Sequence, residues 1–262
     1  MKKLITICAV VTMMLTANGF VYGAYLYTDS FEASWVGDYA AGWEDVAYRH
    51  GDASTSVMTQ YSSVTVNNNT IAAFAGEYFT GLKVTNAGTP ESSTNWWGAI
   101  ASNYLNENAM AKEYSPWISV AFYDTGLTTS AAQLATVPTS DDDWTDTQIG
   151  ERVNRPDHYW YVEAASGSGW LETTVARTTG WHTLKQAMNT AGYISYYIDD
   201  ILVGSSTKTY DSLTGLYLMT QFNPGEFADS EVYFDGFQAS SIPEPATIAV
   251  LSLGGLLLRR KK

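Results

Sequence analysis

Short runs of alternating apolar and polar residues, each closed off by Gly, Asn, Asp or Ser, recur through the body of this chain. Side chains on a strand point to opposite faces in turn, so such alternation describes a half-buried strand, whereas a helix needs apolar residues three and four apart. In "PWISVAFYD", Ile118, Val120 and Phe122 fall on one face. "GYISYYIDDILVG" reads as two strands around an Asp199-Asp200 turn, with Ile194, Tyr196 and Ile198 on one side. "EVYFDGF" puts Val232 and Phe234 on one face and Tyr233 and Asp235 on the other. Further strands are expected in "AYLYTDSF", "TSVMTQY", "YFTGLKVTN", "WGAIASNY", "HYWYVEAA", "LETTVAR", "WHTLKQAM" and "GLYLMTQF". The 18 Tyr and 9 Trp suit this reading, because aromatic side chains pack well on a pleated surface. About a dozen strands with little helix specify an all-β antiparallel sandwich, closed enough to hide its edges. "LNENAMAKEY" has room for one or two helical turns. Residues 127–150, polar and turn-rich around "DDDWTD", read as a long surface loop.

The two ends differ from the body. "MKKLITICAVVTMMLTANGFVYGA" has a basic start, an apolar centre and small residues near Gly23, the layout of a secretory signal peptide. The expected organisation is therefore a signal peptide over 1–23, a β-sandwich over 24–240 and a C-terminal tail over 241–262. The only cysteine, Cys8, lies in the leader, so the exported form has neither a disulfide nor a cysteine metal site. Between Ala24 and Ser241, eight Lys and Arg face 26 Asp and Glu. So acidic a body repels phosphate backbones, which excludes nucleic acid as a partner and leaves cations and neutral glycans.

In the tail, Pro243 and Pro245 keep the chain extended. Ala246 to Leu258 then reads as a short transmembrane helix, roughly 20 Å long at 1.5 Å per residue. Arg259, Arg260, Lys261 and Lys262 favour a cytoplasmic C-terminus. "PEPATIAVLSLGGLLLRRKK" resembles the PEP-CTERM sorting tail of exported Gram-negative proteins, with Pro243, Glu244 and Pro245 as its motif. The resemblance implies recognition by a membrane-embedded exosortase, processing near the motif after passage through the secretion machinery, and a transient stay in the inner membrane. Delivery to the cell surface or extracellular matrix would follow.

The body's "DSFE", "RTTGWHTLK", "GYISYYIDDILVG" and "VYFDGF" occur in an order that resembles the concanavalin A-like or laminin G-like jelly roll. That resemblance implies a first and last strand brought together. It also implies oxygen ligands for calcium at their junction, for which Asp29, Glu32 and Asp235 are the candidates, since calcium takes 6–8 oxygens. Some glycosidases with this sandwich carry a Glu-x-Asp-x-x-Glu strand, and no such strand occurs here. Glu163 and Glu172 lie on adjacent expected strands, where a solvent-facing role fits them better than catalysis. His50, His158 and His182 lack metal-ligand spacing, and His182 on a core strand reads as a hydrogen-bonded structural residue.

Sugars stack on exposed aromatic rings, while amides and carboxylates bond their hydroxyls. Asn95, Trp96, Trp97, Trp144, Trp160 and Trp170 are the candidate ligand-binding residues. Adjacent Trp96 and Trp97 cannot share one strand face, so one of them belongs to the core. The expected function is non-catalytic binding of extracellular polysaccharide or adhesion, with no catalytic residue. The alternatives are a structural matrix protein without a discrete ligand, and a divergent polysaccharide-cleaving enzyme.

Overall fold

The computed structural model describes residues 25–32, 43–45, 54–86, 96–97, 100–104, 110–128, 131–139, 147–152, 154–163, 169–220, 223–224 and 230–241. The signal peptide and the tail from Pro243 to Lys262 lie outside these residues. Among the described residues, no helix is long and apolar enough to cross a membrane.

The described strands run in chain order as β1 (Tyr25–Asp29), β2 (Glu44–Asp45), β3 (Ser54–Tyr61), β4 (Ser63–Val66), β5 (Asn69–Ala72) and β6 (Phe79–Asn86). They continue as β7 (Trp96–Trp97), β8 (Ile100–Tyr104), β9 (Trp117–Asp124), β10 (Ala132–Thr139), β11 (Thr147–Arg152) and β12 (Arg155–Val162). After these come β13 (Leu171–Ala176), β14 (Gly180–Met188), β15 (Ile194–Ile198), β16 (Ile201–Ser205), β17 (Ser212–Thr220), β18 (Asn223–Pro224) and β19 (Ser230–Ser241). A 3-10 turn at Lys112–Tyr114 answers to the helical turn expected there.

Two antiparallel sheets face each other. The first has the order β16-β15-β14-β9-β19-β6-β3, with β1 also paired to β19. The second has the order β13-β12-β11-β10-β17-β8-β2. First and last strands do meet, Tyr25 opposite Ser241 and Asp29 opposite Phe237. Ile118, Val120 and Phe122 of β9, Leu184 of β14, Ile194, Tyr196 and Ile198 of β15, and Val232 and Phe234 of β19 form one core with Leu134, Ile149, Tyr159 and Leu218 of the second sheet. Each such side chain contributes about 1.5–3 kcal/mol by leaving water. The chain is thus an all-β jelly-roll sandwich, with the faces that alternation predicts for β9, β15 and β19.

Two hairpins show how local sequence sets register. Asp199 and Asp200 have φ of 49° and 62°, and Asn67 and Asn68 have 50° and 63°. Two successive left-handed residues make the two-residue turn that matches strand twist, and Asp and Asn tolerate that region best after glycine. The second hairpin, β4–β5, covers the outer face of the first sheet. There Ile71 packs with Phe79 and Tyr233, and the Trp181 indole N–H donates to the Ala72 carbonyl at 2.9 Å.

The expected loop over residues 127–150 is overturned. It contains β10 and the start of β11, which lie at the centre of the second sheet. The polar character that suggested a loop is buried. Thr136 and Thr147 pair through their hydroxyls at 2.8 Å, and both reach the side-chain oxygen of Gln186 across the sandwich at 3.1 and 2.6 Å. The Gln186 amide nitrogen donates to the carbonyls of Leu134 and Thr147. Satisfied in this way, polar side chains cost little to bury. The "DDDWTD" segment itself lies outside the described residues.

Candidate functional site

The face of the second sheet that points away from the core gathers the polar and aromatic groups that the core does not use. Alternation sends Ala132, Leu134 and Thr136 of β10 inward and Gln133 and Ala135 outward. Register then aligns a row across the sheet: Met219, Gln133, Gly150, Trp160 and Glu172 are successive cross-strand partners. Tyr217, Ala135, Gln148 and Val162 form the next row. Cross-strand partners project on the same side, so these rows share one side of the sheet, where Met219, Gln133, Ala135, Gln148 and Val162 are buried while Trp160, Tyr217 and Glu172 reach solvent.

Gly150 is buried in the middle of the first row, packed against the backbone of β10. Its φ is +148°, and a Cβ added there would meet the Ala132 carbonyl oxygen at 2.2 Å. The β11–β12 register shifts between Gly150 and Arg152. Such bulges re-aim the next side chain, and here that side chain is Arg152. Its guanidinium carbon lies 5.1 Å from the Trp160 ring and 5.1 Å from the Trp170 ring. Beside them, His158 Nδ1 lies 2.7 Å from a Glu172 carboxylate oxygen.

Buried polar atoms on this face without a hydrogen-bond partner are Gln133 Oε1, Trp160 Nε1, Arg152 Nε and His158 Nδ1, the last with only its ionic contact to Glu172. A buried polar atom left unpaired costs roughly 1–3 kcal/mol. Each such atom calls for a partner that the described residues do not supply. The arrangement offers stacking faces, an acceptor, and donors on one cation.

A charge cluster on the core side of β11 holds this floor. Arg177 bonds Asp124 through two N–H groups and Glu151 through one, with the three side chains only 3%, 1% and 2% exposed. Glu151 also accepts the Ala132 N–H at 2.7 Å, and the Tyr159 hydroxyl donates to Asp124 at 3.1 Å. Burial, then the charge of Asp124, pushes the Glu151 carboxyl well above its usual range. Burial also works to raise Asp124, but hydrogen bonds to Arg177 and Glu151 outweigh it and hold Asp124 low. The Glu151 carbonyl in turn accepts the Gln133 side-chain amide at 2.8 Å, which ties the cluster to the outer face.

Of the residues expected to bind ligand, Trp160 and Trp170 are brought together here. Trp96 and Trp97 form β7, which pairs with β18, but their side chains lie outside what is described, as do Asn95 and Trp144. Arg152, Gln133 and Gln148 were missed because they belong to, or directly follow, the stretch read as loop. The alternation of Thr147, Ile149 and Glu151 was the signal that could have found β11.

The three expected calcium residues take separate roles. Asp29 caps its own turn by accepting the Phe31 N–H, and its other oxygen accepts the Trp43 indole N–H, both at 2.8 Å. Glu32 accepts the backbone N–H groups of Glu77 and Tyr78, and Asp235 those of Ala75 and Gly236. Glu32 and Asp235 therefore hold one loop from two sides. Burial raises the Asp235 carboxyl, and the Glu32 charge adds to this. Among the described residues, no group of three or more His, Cys, Asp or Glu side chains is arranged to hold a metal ion.

Glu163 and Glu172 do not share a site. Glu163 accepts the Thr207 hydroxyl at 2.6 Å and the Lys208 N–H, while Glu172 meets His158. His182 has the hydrogen-bonded role expected of it, between Asp199 and Thr178.

No protein-family model matches the chain, and no curated protein matches it in sequence. In three dimensions it is similar to cellulose induced protein, Cip1, with a TM-score of 0.54 at 13% identity over 82% of this chain and 97% of that one. A structure concerned with the endo-acting O-glycanases by which human gut bacteria initiate mucin breakdown superposes with a TM-score of 0.53. Its identity is 11%, over 82% and 98% of the two chains. The GlcNAcα1-4Gal-releasing endo-β-galactosidase of Clostridium perfringens gives 0.51 at 11% identity, over 84% of this chain and 62% of that chain. At such identities the likeness establishes the fold.

Proposed function

We propose that this chain is an exported surface or matrix protein that binds extracellular polysaccharide on the outer face of its second sheet, without cleaving it. The observation that carries this reading is the Trp160–Arg152–Trp170 stack beside the unpartnered Gln133 and Trp160 atoms. Rings stack on sugar faces, and the unpaired donor and acceptor suit hydroxyls, which both donate and accept. That proteins of the same fold include glycanases supports the choice of ligand class. The signal-peptide layout and the Pro243-Glu244-Pro245 tail support export and exosortase sorting.

A calcium ion between Glu32 and Asp235 is part of the proposal. The two carboxylates flank one loop, and burial, with the charge of Glu32 added to it, raises the Asp235 carboxyl, a cost that a divalent cation would relieve. Asp29 is committed elsewhere and is not included.

The test is a glycan-array screen of the full-length chain, run with calcium and with chelator. Binding that disappears on Trp160→Ala supports the reading. Silence across a broad array, from protein shown to be folded, overturns it and favours a structural matrix role. Release of reducing ends from any bound glycan would overturn the non-catalytic part.

A further inference from the structure

We infer that the saccharide taken at this face is acidic, with its carboxylate or sulfate group seated on the Arg152 guanidinium. The inference rests on the reading of this face as a glycan site and adds the class of glycan to it.

Like Lys185, which lies over the Trp117 and Tyr197 rings, Arg152 faces two aromatic rings, but it presents a planar fork of donors where Lys185 presents a point charge. Arg177 has two carboxylate partners and Lys112 has Asp211, whereas among the described residues no carboxylate pairs with Arg152. Its neighbours are instead two indole rings, each 5.1 Å away. Rings lying over a guanidinium satisfy its flat faces. They do nothing for the N–H groups, which lie in the guanidinium plane. The buried Arg152 Nε is one such donor without an acceptor. An in-plane, two-oxygen anion is the partner this geometry accepts best, since a carboxylate or sulfate can take two parallel N–H bonds.

The electrostatics agree. Burial, and then the charge of Arg155, push the Arg152 guanidinium below its ordinary value. The acidic body as a whole disfavours polyanions, but Arg152 and Arg155 are two neighbouring cations with no carboxylate paired to either among the described residues, and locally they gain from an incoming anion that a neutral sugar does not offer. A loose atom also fits the rest of a sugar ring. Trp160, half-buried on the same side of the sheet, has an Nε1 that can donate to a hydroxyl. A purely structural Arg–Trp stack would explain the rings but not the unpaired Arg152 Nε, Gln133 Oε1 and Trp160 Nε1.

The experiment measures binding of the full-length chain to polygalacturonate, dextran sulfate, dextran and a mixed-linkage β-glucan at moderate salt. The wild type is compared with Arg152→Lys and Trp170→Ala, each checked for an intact thermal transition. An acidic polymer is expected to bind at least tenfold more tightly than either neutral one. Arg152→Lys, which keeps the charge but loses the fork, is expected to erase that preference. Preference for polygalacturonate assigns a carboxylate, and preference for dextran sulfate assigns a sulfate. Neutral glucans binding as well as the acidic polymers, unchanged by Arg152→Lys, overturn the acidic class and leave the glycan reading standing. Acidic binding that persists in Arg152→Lys and Trp170→Ala but vanishes with added salt comes from basic groups elsewhere, such as Arg259 to Lys262, and also overturns it. Absence of binding to all four polymers and across the array sinks the glycan reading itself. Should Arg152→Lys fail to fold, Trp170→Ala decides alone: its acidic preference must fall by at least about threefold, the scale of one lost stack.

Discussion

Arg177 grips Asp124 with a two-pronged bond inside the sandwich, Nε to one carboxylate oxygen and Nη2 to the other, each at 2.9 Å. The pair joins the end of β9 in the first sheet to the residue that follows β13 in the second. Taking either partner away leaves a buried charge without compensation. Arg177→Ala should cost about 3–5 kcal/mol of unfolding free energy. Arg177→Lys should cost less, because a charge remains while the planar fork is lost. Urea unfolding of both variants checks the order.

The same cluster sets a dependence on pH. Asp124 is held low, so its stabilisation is present above the ordinary Asp value and is lost as pH falls through its lowered value. Glu151 is raised, so between its ordinary value of 4.5 and its raised one the folded state holds more protons than the unfolded state. Stability from Glu151 therefore falls as pH rises through that window. Glu151→Gln should remove this fall and flatten the curve of Tm against pH on that side. A curve unchanged by the substitution would refute the assignment.

At the β15–β16 turn the two aspartates should behave differently. Asp199 accepts the Thr183 N–H at 2.8 Å and lies 2.7 Å from His182, whereas Asp200 supplies chiefly a left-handed backbone position. Asp200→Gly is expected to leave Tm unchanged or raise it, since glycine takes φ of +62° without strain. Asp199→Ala is expected to lower Tm. Thermal melts of the two single variants decide, and the reverse order would contradict the turn geometry.

Calcium should act through the loop that Glu32 and Asp235 hold. Added calcium is expected to raise Tm in the wild type by mass action on the folded state and to have no effect in Asp235→Asn. Equal shifts in the two proteins would place any calcium elsewhere. Calorimetric titration of the metal into each gives an independent reading.

Sorting is tested in cells of an exosortase-bearing host. Replacing Pro243, Glu244 and Pro245 with alanine should leave the protein in the membrane fraction, and unchanged delivery to the surface would end that proposal.

The outlines of the sandwich were legible because alternation is a local property. Ile118, Val120 and Phe122 must share a face on any strand, and Asp199-Asp200 favours a tight turn wherever it stands. Closure of β1 on β19 followed only from resemblance in the motifs "DSFE" and "VYFDGF". Trp160 and Trp170 could be picked out as residue types, but not as a pair. Ten positions separate them, and it is the β12–β13 register that places Glu172 beside Trp160 and so brings Trp170 alongside.

Tertiary structure decided what local pattern could not. Gln133, Thr136 and Thr147 look like loop residues until Gln186 on the opposite sheet, and the Glu151 carbonyl on the neighbouring strand, give them partners. Burial of a polar side chain depends on a donor or acceptor that arrives from elsewhere in the chain, which no window of neighbouring residues reveals. The carboxylates show the same limit. Asp29 and Glu32 are three residues apart, yet one turns to Trp43 and the other to the loop beside Asp235. Strand faces and turns came from short-range sterics. The grouping of Arg152, Trp160, Trp170 and Gln133 on one surface came from how four strands align.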